Sequence, residues 1–254
     1  MIMVASLATT FYAYWLAPKK GLSQVVVLDM SIVGTLAGVI GARLFHVFVE
    51  YPAYYWADPI RVFYFWQGGF VGYGAFIGVT AGVLGYLKFR KLSVIDYADL
   101  LALGAPLIVL FIRIGCIGAG CCYGTPTDFP LYFTFTNPAS DAGRDFPGVH
   151  LHATQLYDLL NAAFIFLTVN YIDAKGLRRF KGQLTLLFFM MYAFFRFLIE
   201  FLRGDTDRGV YFNGLISTSQ ITGLVIIAVC IPLYIYLYKK YPLKRSLSSS
   251  DQNP

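Results

Sequence analysis

The sequence predicts an all-α polytopic membrane protein, with about seven transmembrane helices and a small external head or lid between spans four and five. Three observations predict it. Apolar residues fall in runs of about 20, the length that crosses a hydrocarbon core. Only 13% of the 254 residues are charged against 57% hydrophobic, where an ordinary soluble domain carries about a quarter charged. The loop cations alternate between dense and sparse as the chain passes from run to run. A mean hydropathy of +0.61 excludes a disordered chain, and four cysteines in this length exclude a small disulfide scaffold.

The first run, 1–16, is apolar but short. It lacks the basic start of a signal peptide, its first charges being Lys19 and Lys20, and it reads as a short or truncated first span. Six longer runs follow at 25–48, 70–87, 98–117, 156–172, 183–202 and 217–238. With seven spans, one side holds Lys19, Lys20, Lys88, Arg90, Lys91, Lys175, Arg178, Arg179, Lys181, Lys239, Lys240, Lys244 and Arg245; the other holds Arg61, Arg144, Arg203 and Arg208. Thirteen against four sets the amino terminus outside and the carboxyl terminus in the cytoplasm, because the basic loops stay inside. The same distribution accounts for the net charge of +6 without nucleic acid, which is not expected as a partner. Residues 1–241 read as one integral membrane domain and 242–254 as a solvated, disordered cytoplasmic tail. The outer segment 125–151 has no helical periodicity and is rich in Pro, Asp, Thr and Phe, a length of connection that usually works as a lid or head. Neither matching motifs nor matching interrupted spans relate the two halves, which weakens a transporter built on inverted repeats.

Three arginines remain, Arg43, Arg113 and Arg196, all within spans. Each costs about 2.5–3.5 kcal/mol at mid-membrane on insertion scales. Their spans all run from inside to outside and each lies late in its span, so the three converge on the outer half of the bilayer. Plain pairing with acids such as Glu50 and Glu200 is the alternative. In the sixth span, Tyr192, Arg196, Glu200 and Arg203 fall within about 80° of one another on a helix, and Arg196 and Glu200 stand at i, i+4. Guanidinium groups stay charged and donate bidentate hydrogen bonds, which suits phosphate. An anionic phospholipid headgroup in the outer leaflet is therefore the expected ligand. Glycines at 68, 69, 72, 74 and 78 in the third span, and at 115, 118, 120 and 124 after Arg113, let backbones approach each other or a ligand closely.

Cys116, Cys121 and Cys122 cluster at the outer end of the fourth span, and Cys230 lies alone in the seventh. The C-x4-C-C spacing is not a zinc or iron–sulfur pattern, so no metal and no cofactor are expected. A disulfide, a thiol activated by a neighbouring arginine, or plain packing all remain open.

The run from Arg113 to Gly124 resembles the signature of the bacterial prolipoprotein diacylglyceryl transferase family, G-R-x-G-N-F-x-N-x-E-x-x-G. Arg113, Gly115 and Gly124 match it, while Ile112, Cys116, Ala119 and Cys121 stand where Gly, Asn, Asn and Glu are usual. Other pieces agree in order: Gly41 to Arg43, Gly68 to Gly74, His152 to Tyr157, Tyr192 to Arg203, and Ser219 with Gln220. The resemblance covers nearly the whole chain, and it implies seven spans in the bacterial cytoplasmic (inner) membrane. It also implies transfer of the diacylglyceryl group of phosphatidylglycerol to the lipobox cysteine thiol of prolipoprotein signal peptides, releasing glycerol phosphate, with phosphatidylglycerol, those peptides and membrane lipids as partners.

On that resemblance Arg113 and Arg196 match the family's essential arginines, Glu200 and Arg203 orient or support them, and Tyr192 is a hydrogen-bonding partner. Arg43, Gly72, Gly74, Gly115, Cys116, Cys121, Gly124 and Gln155 complete the expected substrate-binding set. The usual histidine of the third span is Tyr73 here, a poorer base at neutral pH, so Tyr73 orients substrate or His152 or Glu200 takes the thiol proton. A related transferase with another acceptor, and a lipid-binding or lipid-translocating protein without chemistry, remain the alternatives.

Overall fold

The computed structural model of the chain describes residues 1–205, 209–211 and 216–243. Arg208, Lys244, Arg245 and the expected tail from 244 onward lie outside the described residues. The helices are α1 (Ile2–Leu16), α2 (Gln24–Phe45), α3 (Pro52–Ala57), α4 (Gly72–Phe89), α5 (Val94–Ala119), α6 (Asp141–Asp145), α7 (Thr154–Ala174), α8 (Gln183–Glu200) and α9 (Thr218–Lys240). The strands are β1 (Tyr132–Thr134), β2 (His150–His152), β3 (Val210–Tyr211) and β4 (Ile216–Ser217). Among the described residues, four helices are long and apolar enough to cross a membrane: α2 with its extension to Glu50, α5, α8 and α9. The chain is thus a mostly helical membrane protein. The first expected span is the shorter apolar helix α1. α4 and α7 coincide with the third and fifth expected spans but fall outside that set of four, α7 because Asp158, Asn161, Asn170 and Asp173 dilute its apolar run.

The chain forms two compact units, one of Ala13–Tyr97 and one of Met1–Tyr12 with the described residues from Ala98 onward. In the first, α2 lies against α4 through glycine. A Cβ on Gly41 would strike the Gly74 carbonyl oxygen, and one on Gly78 would strike the carbonyl of Ala37, so the two backbones touch with no side chain between them. α2 continues as a π-helical turn from His46 to Glu50. There His46 Nε2 lies 4.0 Å from Glu50, so Glu50 faces a histidine rather than a span arginine.

In the second unit, α7, α8 and α9 pack together. Asp99 of α5 satisfies the free N–H groups at the start of α8, accepting from Gly182 N at 2.7 Å, Thr185 N at 3.0 Å and Thr185 Oγ1 at 2.9 Å. Asp99 is therefore a buried cap. α9 begins with a reciprocal capping box between Ser217 and Gln220. The 125–151 segment is partly ordered by secondary structure: β1 pairs antiparallel with β2, and Ser140 caps the short α6. Tyr123, Ala142 and Leu151 bury a small apolar cluster with Phe135 and Phe146.

Candidate functional site

Arg113 sits in the last turns of α5, and the chain then reverses through Gly120 (φ +64°) and Cys122 (φ +59°). That turn is held from two sides. At the start of α7, Thr154 Oγ1 donates to the Cys122 carbonyl at 2.8 Å and Gln155 Nε2 to the Cys121 carbonyl at 2.9 Å. Beyond the end of α8, Thr125 N donates to Leu202 O at 2.9 Å and Gly204 N to Tyr123 O at 3.0 Å. A Cβ at Gly204 would meet the Gly124 carbonyl, and one at Gly124 would meet His152. Gly124 is thus a packing position between three segments.

The centre of this arrangement is Asp158, one turn into α7 and 2% exposed. Its Oδ2 lies 2.9 Å from Arg113 Nη2 and 4.0 Å from Arg196 Nη1. Arg196 also pairs with Glu200 at 2.5 Å and donates to Ser219 Oγ of α9 at 3.4 Å. Glu200 in turn lies 3.8 Å from Arg203, and Arg203 Nε donates to Asp205 at 2.8 Å. Tyr192 lies within electrostatic range of Arg113, Arg196 and Asp158. Arg113 and Arg196, 83 residues apart in the numbering, therefore meet on one carboxylate. Arg113 Nε and Arg196 Nη1 are buried donors without a hydrogen-bond acceptor, and the Gln155 Oε1, Asp158 Oδ1 and Asn161 amide atoms are similarly left over. Buried donors of this kind ordinarily find a partner, and an anionic ligand supplies one.

Arg203 departs from its expected place. α8 ends at Glu200, so Arg203 reaches the cluster from the turn beyond the helix rather than from the helical face. Its guanidinium is held charged by Asp205, Cys122 and Glu200, which together outweigh its burial. On the Cys122 thiol, the hydrogen bond from Cys116 and the charges of Arg113 and Arg203 outweigh burial and hold its pKa below the usual thiol value. Burial, followed by the neighbouring Cys122, pushes the Cys121 thiol up. Cys116 Sγ lies 4.0 Å from Arg113 Nη1, and the sulfurs of Cys116, Cys121 and Cys122 lie within 4.8 Å of one another.

Other expected site residues do different work. His152 Nδ1 lies 3.3 Å from the Tyr157 hydroxyl, which itself donates to Leu131 O at 2.9 Å. Gly115 faces the side chain of Met1. In the other unit, Arg43 is 4% exposed and spends its donors on main-chain carbonyls: Nε on Val62 at 3.0 Å, Nη1 on Gly68 at 2.5 Å and Gly69 at 3.3 Å, Nη2 on Arg61 at 2.6 Å and Tyr64 at 3.3 Å. Arg43 clasps the 61–69 loop, which carries the chain through Gly68 and Gly69 at φ near +80°. Gly74 lies against Gly41, Ala42 and Phe45, whereas a Cβ on Gly72 meets nothing and Tyr73 is exposed.

Asp158, Asp205, Thr154 and Asn161 are the polar residues of the cluster that sequence reasoning missed. One signal was available for Asp158: an acid near the start of an apolar run is expensive unless paired.

Residues 1–236 match the family described as prolipoprotein diacylglyceryl transferase. Three relatives bear the name phosphatidylglycerol–prolipoprotein diacylglyceryl transferase. The protein of Clostridium tetani is 32% identical over 230 residues, 90% of this chain and 88% of its own length. That of Dehalococcoides mccartyi is 32% identical over 243 residues, 94% of this chain and 88% of its own. That of Vibrio cholerae is 30% identical over 236 residues, 90% and 83% respectively.

Proposed function

The chain belongs to the prolipoprotein diacylglyceryl transferase family, and we propose that it transfers the diacylglyceryl group of phosphatidylglycerol to the lipobox cysteine of a prolipoprotein signal peptide. The observation that carries the proposal is the convergence of Arg113 and Arg196 on Asp158, with a buried donor of each arginine left over. A phosphate diester presents the oxygens those donors lack.

In the reaction the incoming sulfur attacks the glycerol carbon that bears the phosphate. The C–S bond forms, the C–O bond breaks, and its electron pair leaves on glycerol phosphate. Negative charge grows on the departing phosphate, and guanidinium groups fixed beforehand stabilise it without reorganising. Arg113 and Arg196 are the catalytic cations in this reading, while Asp158, Glu200 and Ser219 fix their orientation. The thiol proton goes to a base. Glu200, one of the carboxylates of the cluster, is one candidate, His152 is the other, and Tyr73 orients substrate.

The reading also takes the chain as seven spans in the bacterial cytoplasmic membrane, with the amino terminus and the 125–151 segment outside. The loop charges support this orientation. Residues 1–241 are the membrane-embedded part, and phosphatidylglycerol, lipobox peptides and bulk lipid are the partners.

Purified chain in lipid nanodiscs, given phosphatidylglycerol and a lipobox peptide, is expected to yield a diacylglyceryl thioether and free glycerol phosphate, both read by mass spectrometry. Arg113→Ala and Arg196→Ala are expected to insert normally and to form thioether at least about 100-fold more slowly. Lipid binding by the wild-type chain without thioether, or full turnover in both variants, overturns the proposal.

A further inference from the structure

The three sulfurs at the end of α5 come from a seven-residue stretch, 116–122, that no regular helix brings together. Cys116 lies in the last turn of α5, Gly120 turns the chain with a positive φ, and Cys122 is a non-glycine residue at φ +59°. The result places Cys116, Cys121 and Cys122 Sγ within 4.8 Å of one another. A metal–thiolate bond of about 2.3 Å puts the sulfurs of a three- or four-coordinate ion roughly 3.8–4.0 Å apart. Closing the triangle onto an ion therefore takes a contraction of less than about 1 Å, within side-chain rotation.

Two cations stand beside the sulfurs. Arg113 Nη1 lies 4.0 Å from Cys116 Sγ, and Arg203 is within electrostatic range of Cys122. The backbone that carries the sulfurs is pinned at two consecutive carbonyls by Thr154 and Gln155, so the triangle is held in advance of any ligand. Three thiolates around a monovalent ion carry two negative charges, and two guanidiniums flank them. Soft sulfur donors select Cu(I) or Zn(II) over hard cations.

We propose that Cys116, Cys121 and Cys122 form a trithiolate site for one thiophilic ion, Cu(I) in three-coordination or Zn(II) with water as its fourth ligand. Binding exchanges the thiol protons for the ion, so affinity rises with pH. Occupancy would place the ion against Arg113, where it competes with an anionic headgroup for the guanidinium's surroundings.

The test reads metal binding and not turnover, so its outcome is separable from that of the transferase reading. The full chain in nanodiscs is titrated anaerobically with Cu(I) against the chromophoric competitor bicinchoninate, and separately with Zn(II) against a zinc-chelating dye. One ion per chain is expected, bound at least tenfold more tightly than by Cys116→Ser, Cys121→Ser or Cys122→Ser, and equally well by Cys230→Ser. Tight Cu(I) alone identifies the three-coordinate form and tight Zn(II) the form completed by water; either supports the site. Because a serine variant can misfold, the wild-type chain is also alkylated with and without the ion. Joint protection of Cys116, Cys121 and Cys122, with Cys230 unchanged, is expected by mass spectrometry. Failure of both ions to bind, or protection of fewer than three of these thiols, overturns the proposal.

Discussion

Replacing Asp158 with asparagine removes one charge and almost no volume, which isolates its electrostatic role. The carboxylate is 2% exposed and lies 2.9 Å from Arg113 and 4.0 Å from Arg196. At an effective dielectric of about 20, a unit pair near 4 Å attracts by roughly 4 kcal/mol. Desolvation offsets part of this, and removing one partner of a buried pair costs about 3–5 kcal/mol because the other charge stays uncompensated. The amide keeps an oxygen for Arg113, so the lower end of about 3 kcal/mol is expected. At about 2–4 °C per kcal/mol for a chain of this size, Asp158→Asn should melt roughly 6–12 °C below wild type. The two guanidiniums would then lack their shared counter-charge. Glycerol phosphate should therefore protect the variant more strongly than the wild type, a difference read by scanning fluorimetry across a ligand series. Equal melting temperatures together with equal protection would refute the idea that Asp158 neutralises both arginines.

Arg113→Ala and Arg196→Ala should each slow thioether formation by about 100-fold or more, the scale for losing a preorganised charge at a developing anion. Arg113→Lys should recover part of that rate, because lysine keeps the charge and loses the fork. Asp99→Ala should destabilise the chain by roughly 1–2 kcal/mol through loss of the cap on α8, with the thioether rate per folded molecule unchanged in the nanodisc assay. Gly78→Val should cost about 1–3 kcal/mol by overpacking against Ala37, seen as a lower melting point and not as a changed response to glycerol phosphate. For Cys122, the lowered thiol pKa means that thiolate persists below the ordinary titration range near 8.5. Its iodoacetamide rate should therefore hold up as pH falls past that range and drop only at more acid pH. Cys116→Ala should move the profile back toward higher pH. In the linkage sense, a depressed folded pKa gives stability that is present above the unfolded value and lost as pH falls through the folded one.

Local rules carried the sequence reading wherever the structure is itself local. Apolar length placed α2, α5, α8 and α9 to within a few residues, and the i, i+4 rule gave Arg196 with Glu200. The alternative of plain acid pairing does not extend to Glu50, because the helix beyond Phe45 turns π-helical and sets it beside His46. Arg203 failed as part of a helical face for a similar reason: α8 stops at Glu200, and Gly204 must lie against the Gly124 carbonyl, a contact that a side chain would block. Arg43 looked like Arg113 in sequence, an arginine late in an outward span. Its difference rests on the carbonyls of a loop about 20 residues away, which no spacing encodes.

The same limit explains why the shared carboxylate was not foreseen. Asp158 is separated from Arg113 by 45 residues and from Arg196 by 38, and only the packing of α7 brings it to both. The charge arithmetic nevertheless contained the requirement. Two arginines in apolar spans need acids of their own, and Glu200 cannot be the whole supply, since Arg203 also lies 3.8 Å from it. Asp158, near the start of α7, is the acid that packing brings to both arginines. The count alone does not single out Asp158, because Arg43 is also a buried span arginine and meets main-chain carbonyls instead of an acid.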